Sequence, residues 1–127
     1  MRAICKVVRL HGRKSSAMAS LAYIYAKGVP VCGQSLAGVF TGSASVDTTI
    51  FAESCDTFGK AAEVRHVVLS SDERPSPGVN RTLALMAEDW ARIWASGRAW
   101  VGVVHCDKDH AHIHIVIANR GSDGRCL

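Results

Sequence analysis

His105, His112 and His114 lie in the run V-V-H-C-D-K-D-H-A-H-I-H-I-V-I-A-N, a spacing from which imidazoles can build a metal site. Successive side chains of a β-strand point to opposite faces. In a strand over residues 111–118, His112 and His114 therefore share one face, and Ile113, Ile115 and Ile117 share the other. Residues 101–106 read as the antiparallel partner, with the polar D-K-D-H as the turn between them. With His105 opposite His112, their Cβ atoms come within roughly 5 Å of each other. Three imidazoles then converge on one point and leave coordination positions open. Closed structural sites usually have four protein ligands, so this set predicts a catalytic Lewis acid, suited to a phosphodiester or another oxyanion-generating reaction.

A single strand histidine is usually structural, and His-x-His alone is a weak signal; three on one inferred face with Asp107 nearby is a stronger one. His110 reads as a solvated turn residue. Asp107 is an ordinary turn aspartate, a carboxylate that fixes the tautomer of a ligand imidazole, or a proton acceptor. Strand alternation turns Cys106 away from the histidines, so it reads as core.

A metal site of this kind leaves two chemistries open, attack by activated water or attack by a side chain. The chain has two tyrosines, Tyr23 and Tyr25, both in L-A-Y-I-Y-A-K-G. A phenol becomes a competent nucleophile once its proton is removed or its oxyanion is stabilised. Helical residues two apart point about 200° from each other, so only one of the pair readily faces a sheet. Spacing alone does not decide which, or whether either does more than pack.

The elements that must position these groups are legible to different degrees. Residues 3–10 read as a first strand, followed by a turn through Gly12. A helix is expected from Ser15 or Ser16 to Ala26, N-capped by serine and stopped by Gly28 with Pro30 beyond. Residues 29–62, rich in Gly, Ser and Thr, are the least readable, with a short hairpin expected around 39–46 and a helical turn near 47–54. Residues 64–70 (V-R-H-V-V-L-S) read as a strand, and S-D-E-R-P-S-P-G as a loop. A helix over 80–95 places Leu83, Met86, Trp90, Ile93 and Trp94 at helical spacing, with Trp90 and Trp94 expected in the core and Gly97 closing it. The order predicts an α+β fold: an antiparallel β-sheet with helices packed on one face, against Ile113, Ile115 and Ile117, and the histidines on the open face.

A length of 127 residues fits one domain over residues 1–127, and a chain of this size buries about two-thirds of its unfolded surface without needing disulfides. Apolar residues make up 48% and charged residues 20%, which excludes a disordered chain. The net charge of +4 is unevenly placed: Arg2, Lys6, Arg9, Arg13, Lys14 and Lys27 all precede the first acid, Asp47. A basic third of this kind suits a polyanion such as nucleic acid, although many enzymes are as basic. Five cysteines without a C-x-x-C pair, no leader-like segment and no apolar run of spanning length predict a reduced, cytoplasmic protein without a membrane partner.

The run H-C-D-K-D-H-A-H-I-H-I-V-I-A-N resembles the third motif of conjugative relaxases, the mobilisation nucleases of the HUH endonuclease superfamily, in the branch that holds plasmid relaxases and the T-DNA border endonuclease. The pattern His-x-Asp-x4-His-x-His followed by Asn is specific. R-H-V-V-L-S is similar to the second motif, a strand ending in serine, and puts Ser70 at that position. L-A-Y-I-Y-A-K-G is similar to the first motif, a tyrosine-bearing helix, with Tyr23 in the nucleophile's place and Tyr25 as the alternative. The resemblance covers about residues 21–120 and is strongest over 101–119. Rolling-circle replication initiators carry their tyrosine after the metal motif, whereas both tyrosines precede it here.

The resemblance implies a ferredoxin-like HUH relaxase core, shortened relative to usual relaxase domains. It also implies single-strand cleavage at an origin of transfer through a 5′-phosphotyrosyl intermediate. On that expectation His105, His112 and His114 hold a divalent ion at the scissile phosphate, Tyr23 attacks, Asp107 orients His105 or takes the tyrosine proton, and Ser70 contacts DNA near the cut. Arg13, Lys14, Arg65, Arg74 and Arg120 are candidate phosphate contacts, each equally readable as a solvated charge. Mg²⁺ prefers oxygen ligands, while Mn²⁺ and Zn²⁺ accept imidazole more readily. Single-stranded DNA is the expected partner, with accessory mobilisation proteins beside it. The competing classes are a rolling-circle initiator-like nuclease, a metal-dependent hydrolase using water, and a non-catalytic nucleic-acid-binding module on the same scaffold. That last class favours stacking aromatics on exposed strands, and the strands read above carry none.

Overall fold

The structure, a computed structural model, describes residues 2–8, 17–28, 30–35, 40–54 and 64–118. Its elements are β1 (Ala3–Val8), α1 (Ala17–Tyr25), β2 (Pro30–Gln34), α2 (Ala44–Ser54), β3 (Val64–Ser71), α3 (Pro77–Trp94), β4 (Trp100–His105) and β5 (His112–Ala118). The strands form one five-stranded sheet in the order β1-β3-β5-β4-β2, with every neighbouring pair antiparallel. The architecture is the expected α+β one, an antiparallel sheet with helices packed against it.

Both faces of the sheet carry a helix. As anticipated, α3 covers the isoleucine face, where Leu83, Ala87 and Ala91 pack with Val67, Leu69, Trp100, Val104, Ile113, Ile115 and Ile117. On the other face, Leu21 and Ile24 of α1 pack with Val64, Val101, Val103, Val116 and Ala118. The histidine face is therefore half roofed rather than open. The reason lies in β4 and β5, whose histidine face carries Val101, Val103 and Val116 beyond the histidines, an apolar patch that needs covering.

Several elements depart from the reading of the sequence. The loop expected before α3 is in part helix: Ser76 is the N-cap, its hydroxyl accepting from the Val79 N–H at 3.1 Å, and Pro77 opens the first turn. α2 takes in the helical turn expected near 47–54 and stands where the later part of the hairpin expected around 39–46 would be; residue 39 of that expectation lies outside the described residues. β2 went unread because Pro30 and Gly33 are poor strand formers; they are tolerated on this edge strand, which has a register shift between Pro30 and Cys32. The core row of α3 runs through Ala87 and Ala91, which bring the helix close to the sheet. Trp90 packs at the margin of that core, while Ile93 and Trp94 are exposed, so Trp94 is not the core residue expected. Cys106 is likewise exposed rather than core, because β4 ends at His105. Trp100, inside β4, is buried beneath α3, so the described strands present no Phe, Tyr or Trp ring to solvent.

Gly28 sets how α1 meets the sheet. A Cβ there would stand 2.5 Å from the Val104 carbonyl oxygen and 2.9 Å from Val103 Cγ1, too close for any side chain. The chain leaving α1 thus lies directly on β4, and this contact brings the end of α1 to the histidines.

Candidate metal centre

The register of the three inner strands assembles the site. His105 pairs with His112 across β4 and β5, as the spacing anticipated, and His114 pairs with Val103. On the other side of β5, Ser70 pairs with His112 and Val68 with His114. One ligand atom from each of His105, His112 and His114 lies within 4.8 Å of the others. His105 and His114 stack with ring centroids 4.0 Å apart, and His112 stands edge-on to both at 5.4 and 5.1 Å. His105 and His114 are buried, while His112 is partly open.

Hydrogen bonds determine which nitrogen each ring offers. His105 Nε2 is 2.7 Å from the Ile24 carbonyl oxygen, and His112 Nδ1 is 3.1 Å from that of His110. A carbonyl only accepts, so each of these nitrogens carries the proton and donates it. The bare nitrogens are then Nδ1 of His105 and Nε2 of His112. His114 Nδ1 lies 2.7 Å from His66 Nε2, which leaves His114 Nε2 for the site. Burial, above all, pushes the His114 imidazolium down to about 3 and that of His66 to about 4; burial likewise lowers His105. Rings with one nitrogen tied down by a hydrogen bond and the other left for a ligand are what an imidazole-bound cation requires, so the donor set fits a divalent ion.

The Ile24 carbonyl belongs to the last turn of α1, where helical carbonyls have no partner of their own. His105 satisfies one of these and so fastens α1 to the site. Tyr23, on the same turn, lies edge-to-face with His66 and His114 at centroid distances of 5.8 and 6.0 Å, yet is 53% exposed. Tyr25 points elsewhere. Its hydroxyl donates to Asp47 Oδ2 at 2.8 Å, under α2. Burial, followed by the Asp47 carboxylate, pushes the Tyr25 phenol far above its ordinary range.

Among the described residues Asp47 accepts four hydrogen bonds: from Tyr25, from the Thr41 N–H and hydroxyl at 2.7 Å each, and from the Gly42 N–H at 2.9 Å. Despite burial, these donors hold its carboxyl below the usual range. A lowered folded-state pKa contributes stability that is present above the unfolded carboxylate value near ~3.9 and is lost as pH falls through the folded value. In Asp47→Asn an amide N–H₂ faces the Gly42 N–H. We expect that variant to lose about 2–3 kcal/mol in denaturant titrations at pH 7, and to show less of the wild-type loss of stability in acid.

Asp107 sits in the turn after β4. Its Oδ2 pairs with Lys27 Nζ at 3.1 Å, and its Oδ1 is 3.7 Å from His112 Nε2. The expected orienting contact with His105 is not the one formed, because the Ile24 carbonyl holds that ring's N–H. The Lys27 ammonium keeps the Asp107 carboxyl below its usual range, which disfavours it as a proton acceptor. Ser70 shares the histidine face beside His112. Arg65, an odd-numbered β3 residue like Val67 and Leu69, is on the opposite face and is not brought to the histidines. Arg74 is exposed in the loop that meets β5, where the Ala111 N–H donates to the Glu73 carbonyl. Arg13, Lys14 and Arg120 lie outside the described residues.

Sequence reasoning missed His66 and Lys27. Alternation puts His66 and Ser70 on one face of the same strand, which was a usable signal; their pairing with β5 was not visible in the chain.

The family model of the MobA/VirD2-like relaxase nuclease domain matches residues 42–127, more than half of the chain, and the protein belongs to that family. The match takes in β3, the histidine-bearing strands and the turn between them, and begins after α1. No curated protein and no solved structure matches the chain.

Proposed function

We propose that this relaxase-type nuclease cleaves one strand of DNA at an origin of transfer by transesterification, with Tyr23 as the nucleophile. The observation that carries this reading is the placement of Tyr23: half-exposed, at the end of a helix fastened to the metal centre, with its ring against His66 and His114. A DNA strand laid on the half-open histidine face can meet the phenol and the imidazole cluster together.

The phenol oxygen forms the new bond to phosphorus, the bond from phosphorus to the 3′ oxygen breaks, and the products are a 5′-phosphotyrosyl linkage and a 3′-hydroxyl. The proton lost by Tyr23 goes to solvent or base, and the leaving 3′ oxygen gains one. A divalent cation, when bound by His105, His112 and His114, supplies charge neutralisation at the phosphate, and the imidazole set favours Mn²⁺ or Zn²⁺ over Mg²⁺. His105 keeps α1 docked, so that Tyr23 stays in reach. Lys27, ion-paired with Asp107, and the exposed Arg74 are backbone contacts in this reading, and Ser70 stands beside His112. Arg13, Lys14 and Arg120 remain proposed backbone contacts. Cytoplasmic action on mobilisable plasmid DNA, together with accessory mobilisation proteins, completes the reading; no helix among the described residues is long and apolar enough to cross a membrane.

The test is to incubate the chain with single-stranded origin DNA and Mn²⁺ and analyse it under denaturing conditions. A denaturation-resistant protein–DNA adduct is expected. Cleavage without an adduct means attack by water, and binding without cleavage means a non-catalytic module.

A further inference from the structure

His66 is buried on β3, outside the set of three converging histidines, and the chemistry proposed above leaves it without a task. Its Nε2 lies 2.7 Å from His114 Nδ1, and the two rings are 4.9 Å apart by centroid. Its Nδ1 is buried and makes no hydrogen bond among the described residues. The other two rings of the cluster each donate to a backbone carbonyl, which determines their tautomers without further help. Among the described residues His114 has no carbonyl to donate to. It has His66.

We propose that His66 is the positioning residue of the metal centre: by accepting a hydrogen bond from the N–H at His114 Nδ1, it holds His114 in the tautomer whose bare Nε2 faces the cation. A neutral imidazole carries a single ring proton, so a coordinating Nε2 requires that proton at Nδ1. The nearest described acceptor for it is His66 Nε2. The proton of His66 is then at its own Nδ1, the nitrogen without a partner. The contact also aims the ring, because a second anchor on a strand histidine limits rotation about both of its side-chain torsions. Since Tyr23 packs edge-to-face on both His66 and His114, the same pair forms the floor under the phenol.

This inference rests on the metal reading of His105, His112 and His114, and the experiment separates the two. Calorimetric titration of the full chain with Mn²⁺ is expected to show binding that weakens about 10–100-fold in His66→Leu. His66→Gln, whose side-chain oxygen can accept in place of Nε2, is expected to recover most of that loss, which a purely packing role for His66 would not give. In the unaltered chain loaded with diamagnetic Zn²⁺, long-range ¹H–¹⁵N spectra are expected to show His114 coordinated through Nε2 and protonated at Nδ1. The Zn²⁺ spectra decide the matter even where His66→Leu fails to fold. His114 bound through Nδ1, or unchanged Mn²⁺ affinity in a folded His66→Leu chain, overturns the role of His66 and leaves the metal site standing. Failure of the unaltered chain to bind Mn²⁺ or Zn²⁺ removes both.

Discussion

Replacing Tyr23 with phenylalanine is expected to abolish the covalent protein–DNA adduct and to lower strand cleavage by ~10³-fold or more, because no other nucleophile replaces a missing one at comparable rate. The fold should be untouched: the ring is 53% exposed, and its described contacts are edge-to-face with His66 and His114, which phenylalanine preserves. Tyr25→Phe is expected to do the reverse. Its hydroxyl is one of four donors to the buried Asp47 carboxylate, so its loss should cost about 1–2 kcal/mol in equilibrium unfolding while the adduct still forms. The two variants differ by one oxygen atom each on the same helix. Measured side by side by denaturing electrophoresis and by unfolding, they separate a chemical role from a structural one. If Tyr25→Phe alone lost the adduct, the nucleophile would be the wrong tyrosine.

The second large effect concerns the cation. Chelation is expected to stop cleavage, and Mn²⁺ to restore it. Binding to the native state alone stabilises a protein by about 2.7 kcal/mol at a ligand concentration a hundredfold above Kd. For a chain of this size that is a rise in Tm of roughly 10 °C, readable by scanning calorimetry. His105→Ala, His112→Ala and His114→Ala should each lose this rise, and each should lose more than the ~100-fold in Mn²⁺ affinity that marks the upper end for an outer contact. Their stabilities without metal should differ. His105→Ala also frees the Ile24 carbonyl and loosens α1, so it is expected to be the least stable of the three and to disturb the placement of Tyr23. His112→Ala, at the more open position, should cost the least. A Tm rise retained in all three variants would show that the ion binds elsewhere.

Much of the site was legible because it is local. Period-two alternation places His112 and His114 on one face of β5 with the isoleucines on the other, and a short polar turn makes β4 its antiparallel partner, so the pairing of His105 with His112 follows from the chain itself. The strands at 3–8 and 64–71 and the helices carrying Tyr23 and Leu83 were likewise within reach of pattern and capping. Harder were β2, whose Pro30 and Gly33 mask an edge strand, and α2, whose Thr48 and Thr49 are weak helix formers that turn their hydroxyls back to helical carbonyls.

By itself, then, the amino-acid order determined an α+β chain, a triad of imidazoles and two phenols upstream, because each follows from residues a few positions apart. Tertiary structure decided which phenol meets the triad, since the rotation of α1 is set by Leu21 and Ile24 packing on the sheet and by the Tyr25–Asp47 bond. It also decided that His66 joins His114, 48 positions away, and that Asp107 faces Lys27 and His112 rather than His105. Those contacts depend on strand register and helix docking between distant segments, which no spacing along the chain encodes.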